Sequence, residues 1–335
     1  MKITKKVARN LILPLAVHLK SDRLLLAGSK KRCCIINFHG VRSMPQNTLN
    51  NRHLPAKDFD LFLKYLKSNF DVVPLAKLFD LHRSKTIPKR RTVALTFDDG
   101  YLNNFTIALP LLEKHQLPAT FYIISKSIED PKYMSWPDII DIITKHHKDD
   151  LIIAGHKFNF PGFFCEELQS DLQSYLKSLP SGPDATVQEL GKQFAPLIER
   201  ELQTNRELVQ VVNAEELTRH SNNPLLEIGS HSHNHPNLAN LSDSDQEFQL
   251  ERSKEILENL CNSEIISFAF PDGSYNKSTI NLALKAGYKN LAAVNYKFDE
   301  NHSNPNLLSR FTVSNSTTWQ SNVLRLARQF EMYGF

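Results

Sequence analysis

Short apolar runs rich in β-branched and aromatic residues alternate with helical stretches along most of this 335-residue chain. Uninterrupted apolar runs of this kind are typical of strands in a parallel sheet that helices cover on the outside. The predicted strands are residues 33–38, 70–75, 92–97, 119–124, 225–230, 265–270 and 290–295. The predicted helices are residues 57–68, 103–116, 137–147, 243–260, 276–286 and 317–331, the fourth with a capping box at Ser242 and Asp245. The pattern predicts an α/β fold.

Polar clusters directly follow four of these predicted strands. They are "HG" after 33–38, "DDG" after 92–97, "HSHNH" after 225–230 and "PDGSYN" after 265–270. Seven parallel strands that close on themselves form a barrel related to the eight-stranded one, whose active sites lie at the carboxyl ends of the strands. This agreement favours a single distorted (β/α)7 barrel over two domains. We therefore expect one barrel domain over residues 33–335.

Residues 148–212 interrupt the alternation of strands and helices. They contain an apparent hairpin, "LIIAGHKFNF", followed by charged amphipathic helices with a "SLPSGPD" break. Connections of this length usually carry a function or form a subdomain. We expect a helical insertion on the rim of the barrel, which either shapes a substrate groove or is a solvated decoration.

Basic residues are concentrated in an N-terminal segment. Residues 1–32 contain nine Lys or Arg against one acid, whereas the net charge of the whole chain is only +4. The remainder is therefore net acidic, and nothing in it indicates a nucleic acid partner. Four apolar residues recur at helical spacing in this segment: Val7, Leu11, Leu15 and Leu19. The segment predicts a basic amphipathic helix that either packs on the barrel or lies on an anionic membrane surface.

The compartment stays open at this stage. The apolar stretch of the N-terminal segment closes early at His18 and Lys20, and no small-residue cleavage site follows at once, so a signal peptide is disfavoured. The bacterial cytoplasm or the inner-membrane surface is therefore favoured over the periplasm or export. The four cysteines show no disulfide or zinc-finger spacing, and we expect them to be buried free thiols.

Two histidines and two adjacent carboxylates form the strongest chemical pattern. Asp98 and Asp99 follow an apolar strand, although "DDG" by itself is more often a tight turn or a helix cap. His231 and His235 flank a short loop after another predicted strand. One carboxylate and two histidines form a metal site that leaves positions open for water and substrate. The third histidine of the loop, His233, is expected to point away from such a site.

In this order and in these strand contexts, "TFDDG", "HSHNH" and "FAFPDGSYN" resemble the first three motifs of the NodB-homology polysaccharide deacetylases, carbohydrate esterase family 4. "FHGV" at 38–41 and "LPATFYI" at 117–123 are also similar to that family. The resemblance covers roughly residues 33–313 without the insertion, and is closest to branches that act on exopolysaccharides such as poly-N-acetylglucosamine. It implies a distorted (β/α)7 barrel, one divalent metal ion, usually Zn²⁺, and hydrolysis of N-acetyl groups on an amino-sugar glycan to amine and acetate.

The resemblance assigns roles by position. The metal ligands fall on Asp99, His231 and His235, and the catalytic base falls on Asp98. A bound divalent ion would polarise the acetamide carbonyl and lower the pKa of its water, and Asp98 would accept the proton. The other candidates are the backbone N–H of Asp272 for the oxyanion and, as substrate contacts, His39, Pro271 and Tyr275.

Two positions depart from the family pattern. Many relatives have an arginine two residues before the proline of the third motif, where it orients the base, and this position is Ala269 here. The usual late leucine-x-histidine, whose histidine is the general acid, reads "LSR" at 308–310, and no tryptophan-bearing fourth motif occurs near 290–305. A guanidinium cannot donate its proton to an amine, but it can hold a carboxylate in a bidentate fork. Arg310 is therefore expected to orient Asp98 or to bind substrate oxygens, unless it forms only a surface ion pair.

The proton donor to the leaving amine is unassigned, with His302 and His39 as candidates. Because of this altered position, a non-catalytic carbohydrate-binding protein on a degenerate barrel is an alternative, which the intact set of carboxylates and histidines disfavours. A metal-dependent phosphoesterase is a second alternative. Such sites often use two metal ions and more carboxylates, whereas ligands for only one metal are visible here.

Overall fold

Seven parallel strands close into a ring. The computed structural model describes residues 17, 21–43, 49, 52–160, 165–179, 183–315, 317–333 and 335. Its strands, in chain order, are β1 (Cys33–Phe38), β2 (Gly40–Arg42), β3 (His53–Pro55), β4 (Asp71–Val72), β5 (Thr92–Phe97), β6 (Ala119–Ile123), β7 (Leu151–Ile153), β8 (His156–Phe158), β9 (Leu226–Ser230), β10 (Ser267–Ala269), β11 (Asn290–Ala293) and β12 (Leu307–Thr312). The ring order is β1–β12–β11–β10–β9–β6–β5, and β5 pairs with β1 to close it. This is the predicted (β/α)7 barrel.

Helices cover the outside of the ring. In chain order they are α1 (Ser21–Gly28), α2 (Ala56–Asn69), α3 (Leu75–Arg83), α4 (Leu109–His115), α5 (Lys126–Glu129), α6 (Trp136–His146), α7 (Glu166–Ser178), α8 (Asp184–Gln193), α9 (Ala195–Thr204), α10 (Arg206–Val209), α11 (Ala214–His220), α12 (Asp243–Cys261), α13 (Lys277–Lys285) and α14 (Trp319–Tyr333). All six predicted helices are present, the second of them divided into a π-helical turn at Asn104–Ala108 and α4. No helix within the described ranges is long and apolar enough to cross a membrane.

The predicted strand 70–75 is not a member of the ring. Only the two residues of β4 form a strand there, and they pair with the start of β5. Pro74 lacks the N–H that a longer ladder would require, and α3 begins directly after it. The seventh barrel strand is β12. No strand was predicted there, because Ser309 and Arg310 interrupt its apolar run. Both of these polar residues are buried.

Alternate residues of the ring strands fill the barrel interior. The middle of the barrel is apolar and includes three alanines: Ala94, Ala269 and Ala292 lie there with Ile35, Leu308 and Tyr122. Gly229 leaves room for the tyrosine ring, because a Cβ at this position would lie 2.5 Å from Cδ1 of Tyr122. The next inward residues of three strands are polar, namely Asn37, Thr96 and Arg310, and they hydrogen-bond to one another. The interior therefore becomes polar toward the carboxyl ends of the strands.

The interval predicted as an insertion forms the hairpin β7–β8 and the helices α7 to α10. Part of its predicted break, residues 180–182, lies outside the described residues. Apolar side chains of this interval, among them Leu172, Val187 and Leu208, pack with Ile139 and Ile143 of α6 in a cluster separate from the barrel core. The insertion is thus anchored to the barrel through α6.

The structure describes only part of the N-terminal segment that was predicted to be a basic amphipathic helix. The helical spacing of Val7, Leu11, Leu15 and Leu19 lies outside the described residues. Helix α1, which ends the basic segment, packs against α14. The four cysteines are free thiols, as predicted; three are buried, while Cys165 is partly exposed.

Candidate active site

Strand β5 ends in two carboxylates that line the same cavity. Asp98 continues the inward alternation of β5, whereas Asp99 and Gly100 have φ angles of 70° and 68°. This left-handed pair turns the chain sharply and brings Asp99 back over the barrel. Both carboxylates are buried and line a cavity of about 130 Å³ at the carboxyl ends of the strands. The predicted swing of both side chains toward one cleft is present.

The loop after β9 brings His231 and His235 to Asp99. Ser232 and His235 both have positive φ angles, 66° and 58°, and Oγ of Ser232 accepts a hydrogen bond from the backbone N–H of His235 at 3.0 Å. Nδ1 of His231 lies 2.9 Å from the carbonyl oxygen of Ala269, to which it can only donate, so its Nε2 is left as a free lone pair. Oδ1 of Asp99 is 3.5 Å from Nε2 of His231 and 3.4 Å from Nε2 of His235.

These three side chains fit a divalent metal ion. Their nitrogen–oxygen separations are long for hydrogen bonds, but they match the distance of about 3.3 Å between two ligand atoms of a tetrahedral ion with bonds of about 2.0–2.1 Å. One ligand atom from each of Asp99, His231 and His235 lies within 4.8 Å of the others. Burial alone would raise the pKa of Asp99, but the two imidazoles outweigh it and hold this pKa well below its usual value. Asp99 is therefore an anion and can serve as a metal ligand.

Arg310 holds Asp98 in a bidentate fork. Its Nη1 donates to Oδ1 at 2.7 Å and its Nη2 donates to Oδ2 at 2.9 Å, and the guanidinium is fully buried. Asn37 adds a third hydrogen bond, from its Nδ2 to Oδ2 at 2.9 Å. Burial opposes ionisation of Asp98, yet the charge of Arg310 outweighs it and lowers its pKa. The structure thus brings Arg310 to the position that the orienting role requires, and does not place it in a surface ion pair.

His233 points away from these residues, as expected. Its Nδ1 lies 3.0 Å from Oγ of Ser125, and its Nε2 faces Glu129 at 3.6 Å. Burial is the main reason that the pKa of His233 is lowered. The side chain holds the histidine loop against the start of α5.

The other predicted site residues divide into two groups. Asp272, with a φ of 54°, and His39 both line the cavity. Tyr275 does not: its ring stacks on Phe270 in the core, and its hydroxyl donates to the carbonyl of Asn295 at 2.9 Å. The prediction that Tyr275 contacts substrate is therefore wrong, because this ring completes the barrel wall.

Two other predicted site residues also lie outside the cavity, Pro271 as a substrate contact and His302 as a proton donor. Pro271 is buried at the start of a 3₁₀ turn and does not line the cavity. His302 is exposed on the 3₁₀ turn Asp299–Ser303, where it contacts Tyr296. Of the two histidines considered as proton donors, only His39 therefore lies at the cavity.

Nine further residues that were not predicted from the sequence line the cavity: Asn37, Arg52, Trp136, Pro137, Gln173, Lys177, Phe270, Val294 and Thr312. Asn37 carried a usable signal, since it is the one polar residue of the apolar run "CCIINF". Gln173 and Lys177 belong to α7, and no local pattern indicates that this helix turns toward the barrel. Nζ of Lys177 binds Oδ1 of Asp272 at 2.9 Å, so the insertion contributes to the cavity wall.

A buried charge cluster behind this wall ties the insertion to the barrel. Arg52 forms ion pairs with Asp138 and Asp141 of α6. The hydroxyl of Tyr101 donates to Asp138 at 2.9 Å, and Nε2 of Gln169 in α7 donates to Asp141 at 2.5 Å. Because Arg52 also lines the cavity, this cluster fixes one side of the site.

The chain belongs to the polysaccharide deacetylase family, whose profile it matches over residues 85–180 and 185–291, more than half of its length. It is 23% identical to YxkH of Bacillus subtilis over 257 residues, which are 76% of this chain and 62% of that protein. The chain thus spans less than two thirds of the length of this curated relative.

Two solved structures with the same fold come from Streptococcus pyogenes and Ammonifex degensii. The Streptococcus pyogenes deacetylase PplD, in complex with acetate, superposes with a TM-score of 0.57 and 17% identity, covering 88% of this chain and 96% of that one. IcaB from Ammonifex degensii gives a TM-score of 0.56 and 15% identity, covering 90% and 98%. At these identities the likeness establishes the shared barrel fold.

Proposed function

We propose that the chain is a metal-dependent hydrolase that removes N-acetyl groups from an N-acetylhexosamine-containing polysaccharide or oligosaccharide and releases acetate. The observation that carries this proposal is the placement of the Asp99–His231–His235 set and the Arg310-bound Asp98 in one buried cavity. Membership of the polysaccharide deacetylase family supports the reaction class. Acetate, the acid product expected here, is the molecule bound in the similar Streptococcus pyogenes structure.

Asp99, His231 and His235 would hold the metal ion. Two imidazoles and one carboxylate are a donor set that zinc accepts, with a fourth position left open, so we propose Zn²⁺. Bound there, the ion supplies the Lewis acidity that an unreactive amide carbonyl needs.

Asp98 is the proposed general base. A carboxylate offers about four lone-pair positions, and the fork of Arg310 and the amide of Asn37 occupy three of them. Because Asp98 lines the cavity, the remaining position is the one that would accept the proton of the attacking water. Arg310 and Asn37 restrict rotation of the carboxylate, and this positioning lowers the entropic part of the barrier.

Asp272 is proposed to stabilise the oxyanion through its backbone N–H. Its left-handed conformation lies directly between Pro271 and Gly273 at the edge of the cavity, and the contact with Lys177 holds its side chain to the insertion. An oriented backbone donor requires no reorganisation as charge develops on the substrate oxygen. Lys177 and Gln173 make the insertion one wall of the proposed glycan groove.

Acetate release tests the proposal directly. The purified protein, its metal content determined by elemental analysis, is incubated with acetylated chito-oligosaccharides and with poly-N-acetylglucosamine, and both acetate and free amine are measured. We expect equal amounts of the two products, loss of activity on chelation, and recovery with Zn²⁺. Glycan binding by the metal-loaded protein without acetate release would instead favour the non-catalytic carbohydrate-binding protein.

The phosphoesterase alternative has less support. In the part of the chain that the structure describes, one group of three side chains lies close enough to hold a metal ion. Two-metal phosphoesterases need a second set of ligands, usually further carboxylates. A phosphate-release assay on the same protein serves as the control for this alternative.

A further inference from the structure

The end of the barrel opposite the cavity carries a surface that is both apolar and basic. We call it the basal surface; it comprises helix α1 and residues 84–91, which lead into the amino ends of β1 and β5. Leu24, Leu25 and Ile87 on this surface are 76%, 37% and 78% exposed. Leu24 and Ile87 are mostly in solvent and contribute little to the core, and large apolar side chains exposed on one surface are typical of an interaction site.

Cations lie on the same two segments as these apolar side chains. Arg23, Arg32, Lys89, Arg90 and Arg91 line one depression between α1 and the segment before β5. This arrangement joins the basic N-terminal segment to a second basic run, "KRR" at 89–91, which is distant in sequence. The positive charge therefore belongs to a folded surface and not only to the segment that precedes the barrel.

Few anions offset this charge. Asp22 of α1 is buried and bonds to the hydroxyl of Tyr65. Asp71 forms an ion pair with Arg90 at 3.0 Å. Arg91 binds the carbonyl oxygens of Leu26 and Ser29, so it fastens α1 to the barrel without neutralising a charge. The basal surface is therefore net positive.

We propose that the basal surface docks on a lipid bilayer that contains anionic lipids. The cations match the negative surface potential of such a bilayer, and the exposed leucines and isoleucine match its interface. An acidic polysaccharide or a nucleic acid would be held by the cations alone and would leave Ile87 and Leu24 in water. The apolar side chains therefore select the bilayer.

This docking keeps the cavity accessible. The barrel strands start at the basal surface and end at the cavity, and six residues of strand span about 20 Å. A bilayer beneath α1 thus leaves the cavity facing away from the lipid, open to a long glycan. The inference does not depend on the proposed reaction, since no residue of the basal surface lines the cavity.

Vesicle co-sedimentation of the full chain tests the proposal. The vesicles are phosphatidylcholine alone or phosphatidylcholine with phosphatidylglycerol, at low and at high salt. We expect binding to the anionic vesicles that weakens with salt. Reversing two charges in Arg23→Glu/Lys89→Glu is expected to weaken binding at least about 25-fold, at about fivefold per basic residue near the surface.

An apolar variant distinguishes a bilayer from other anionic partners. Ile87→Ser is expected to weaken vesicle binding about fivefold, from partial burial of one isoleucine, and to leave heparin binding unchanged. Ile152→Ser is the matched control, because Ile152 is 70% exposed on the hairpin of the insertion. Lys132→Glu is the corresponding charge control.

Two results would overturn the proposal. One is equal vesicle binding by the native chain and by Ile87→Ser, together with loss of both vesicle and heparin binding in Arg23→Glu/Lys89→Glu. This combination indicates a soluble polyanion as the partner. The other is an equal effect of Ile87→Ser and Ile152→Ser. Thermal unfolding and acetate release from a soluble oligosaccharide verify that each variant is folded, and neither readout is expected to change.

Discussion

Replacing Arg310 by lysine separates the geometry of the fork from its charge. The guanidinium donates to both oxygens of Asp98, at 2.7 and 2.9 Å, and also to Oδ1 of Asn37 at 2.9 Å. A lysine ammonium is a point charge on a flexible stem and cannot reproduce two parallel bonds in one plane. In Arg310→Lys the cation remains in the barrel, while Asp98 loses one of its two bonds to it and gains freedom to rotate.

The magnitude follows from that lost bond. A hydrogen bond to a charged group contributes about 1.5–3 kcal/mol, so kcat is expected to fall by about 10- to 150-fold if the bond positions the base in the transition state. Replacing Arg310 by a neutral residue is a less informative experiment, because it also changes the stability of the fold. It would leave Asp98 buried and unpaired, which costs about 3–5 kcal/mol of stability.

The assay is steady-state acetate release, with metal content and the midpoint of thermal unfolding measured on the same preparation. We expect a lower kcat, a nearly unchanged KM and full metal content, because Arg310 contacts none of the three proposed ligands. Arg219→Lys is the control: Arg219 pairs with Glu215 and Glu216 on an exposed helix face, and such pairs contribute about 0–1 kcal/mol. Native turnover in Arg310→Lys, or a loss explained entirely by missing metal, would refute the positioning role.

Three further predictions concern the ligands, the base and the insertion. His231→Ala is expected to abolish metal retention, measured by elemental analysis after dialysis, whereas His233→Ala retains the metal; equal loss in both contradicts the ligand assignment. Asp98→Asn is expected to keep the metal and the fold but to lose at least about 100-fold in turnover, and near-normal acetate release from it excludes Asp98 as the base. Lys177→Ala, which frees Asp272, is expected to raise KM for oligosaccharides with little effect on kcat, and an unchanged KM indicates that the insertion does not contact substrate.

The barrel and the four clusters could be predicted because both depend on local sequence. A buried strand needs a run of apolar residues, and polar residues directly after such runs meet at one end of a parallel barrel. The same reasoning failed at β12, since Arg310 and Ser309 are buried polar residues within the strand, and the partners of Arg310 lie on or directly after other strands. The prediction of a strand also failed at 70–75, because the apolar residues there are divided between β4 and α3 and do not form one strand.

The contribution of the insertion could not be predicted from the sequence. Lys177 reaches the cavity because its own carbonyl oxygen accepts hydrogen bonds from Asn237 and Asn240, at 3.2 and 2.9 Å, which dock the end of α7 beside the histidine loop. These contacts join segments about sixty residues apart, and neither segment carries a pattern that specifies the other. Tyr275 shows the opposite error, because an aromatic residue next to a motif was interpreted as a substrate contact although it packs in the core.

The position of Arg310 also explains why Ala269 is small. Both residues face the barrel interior, on β12 and β10, with β11 between them. The ring of Tyr122 fills the space beside Ala269 and lies beneath the guanidinium, 5.5 Å from its central carbon. An arginine at 269 would have to displace this ring, whereas Arg310 reaches Asp98 above it. The proposed base, Asp98, is therefore held from the last strand, and Arg310 occupies the position at which the family pattern has the acid histidine. Of the side chains considered as proton donors, this leaves His39, which lines the same cavity as Asp98.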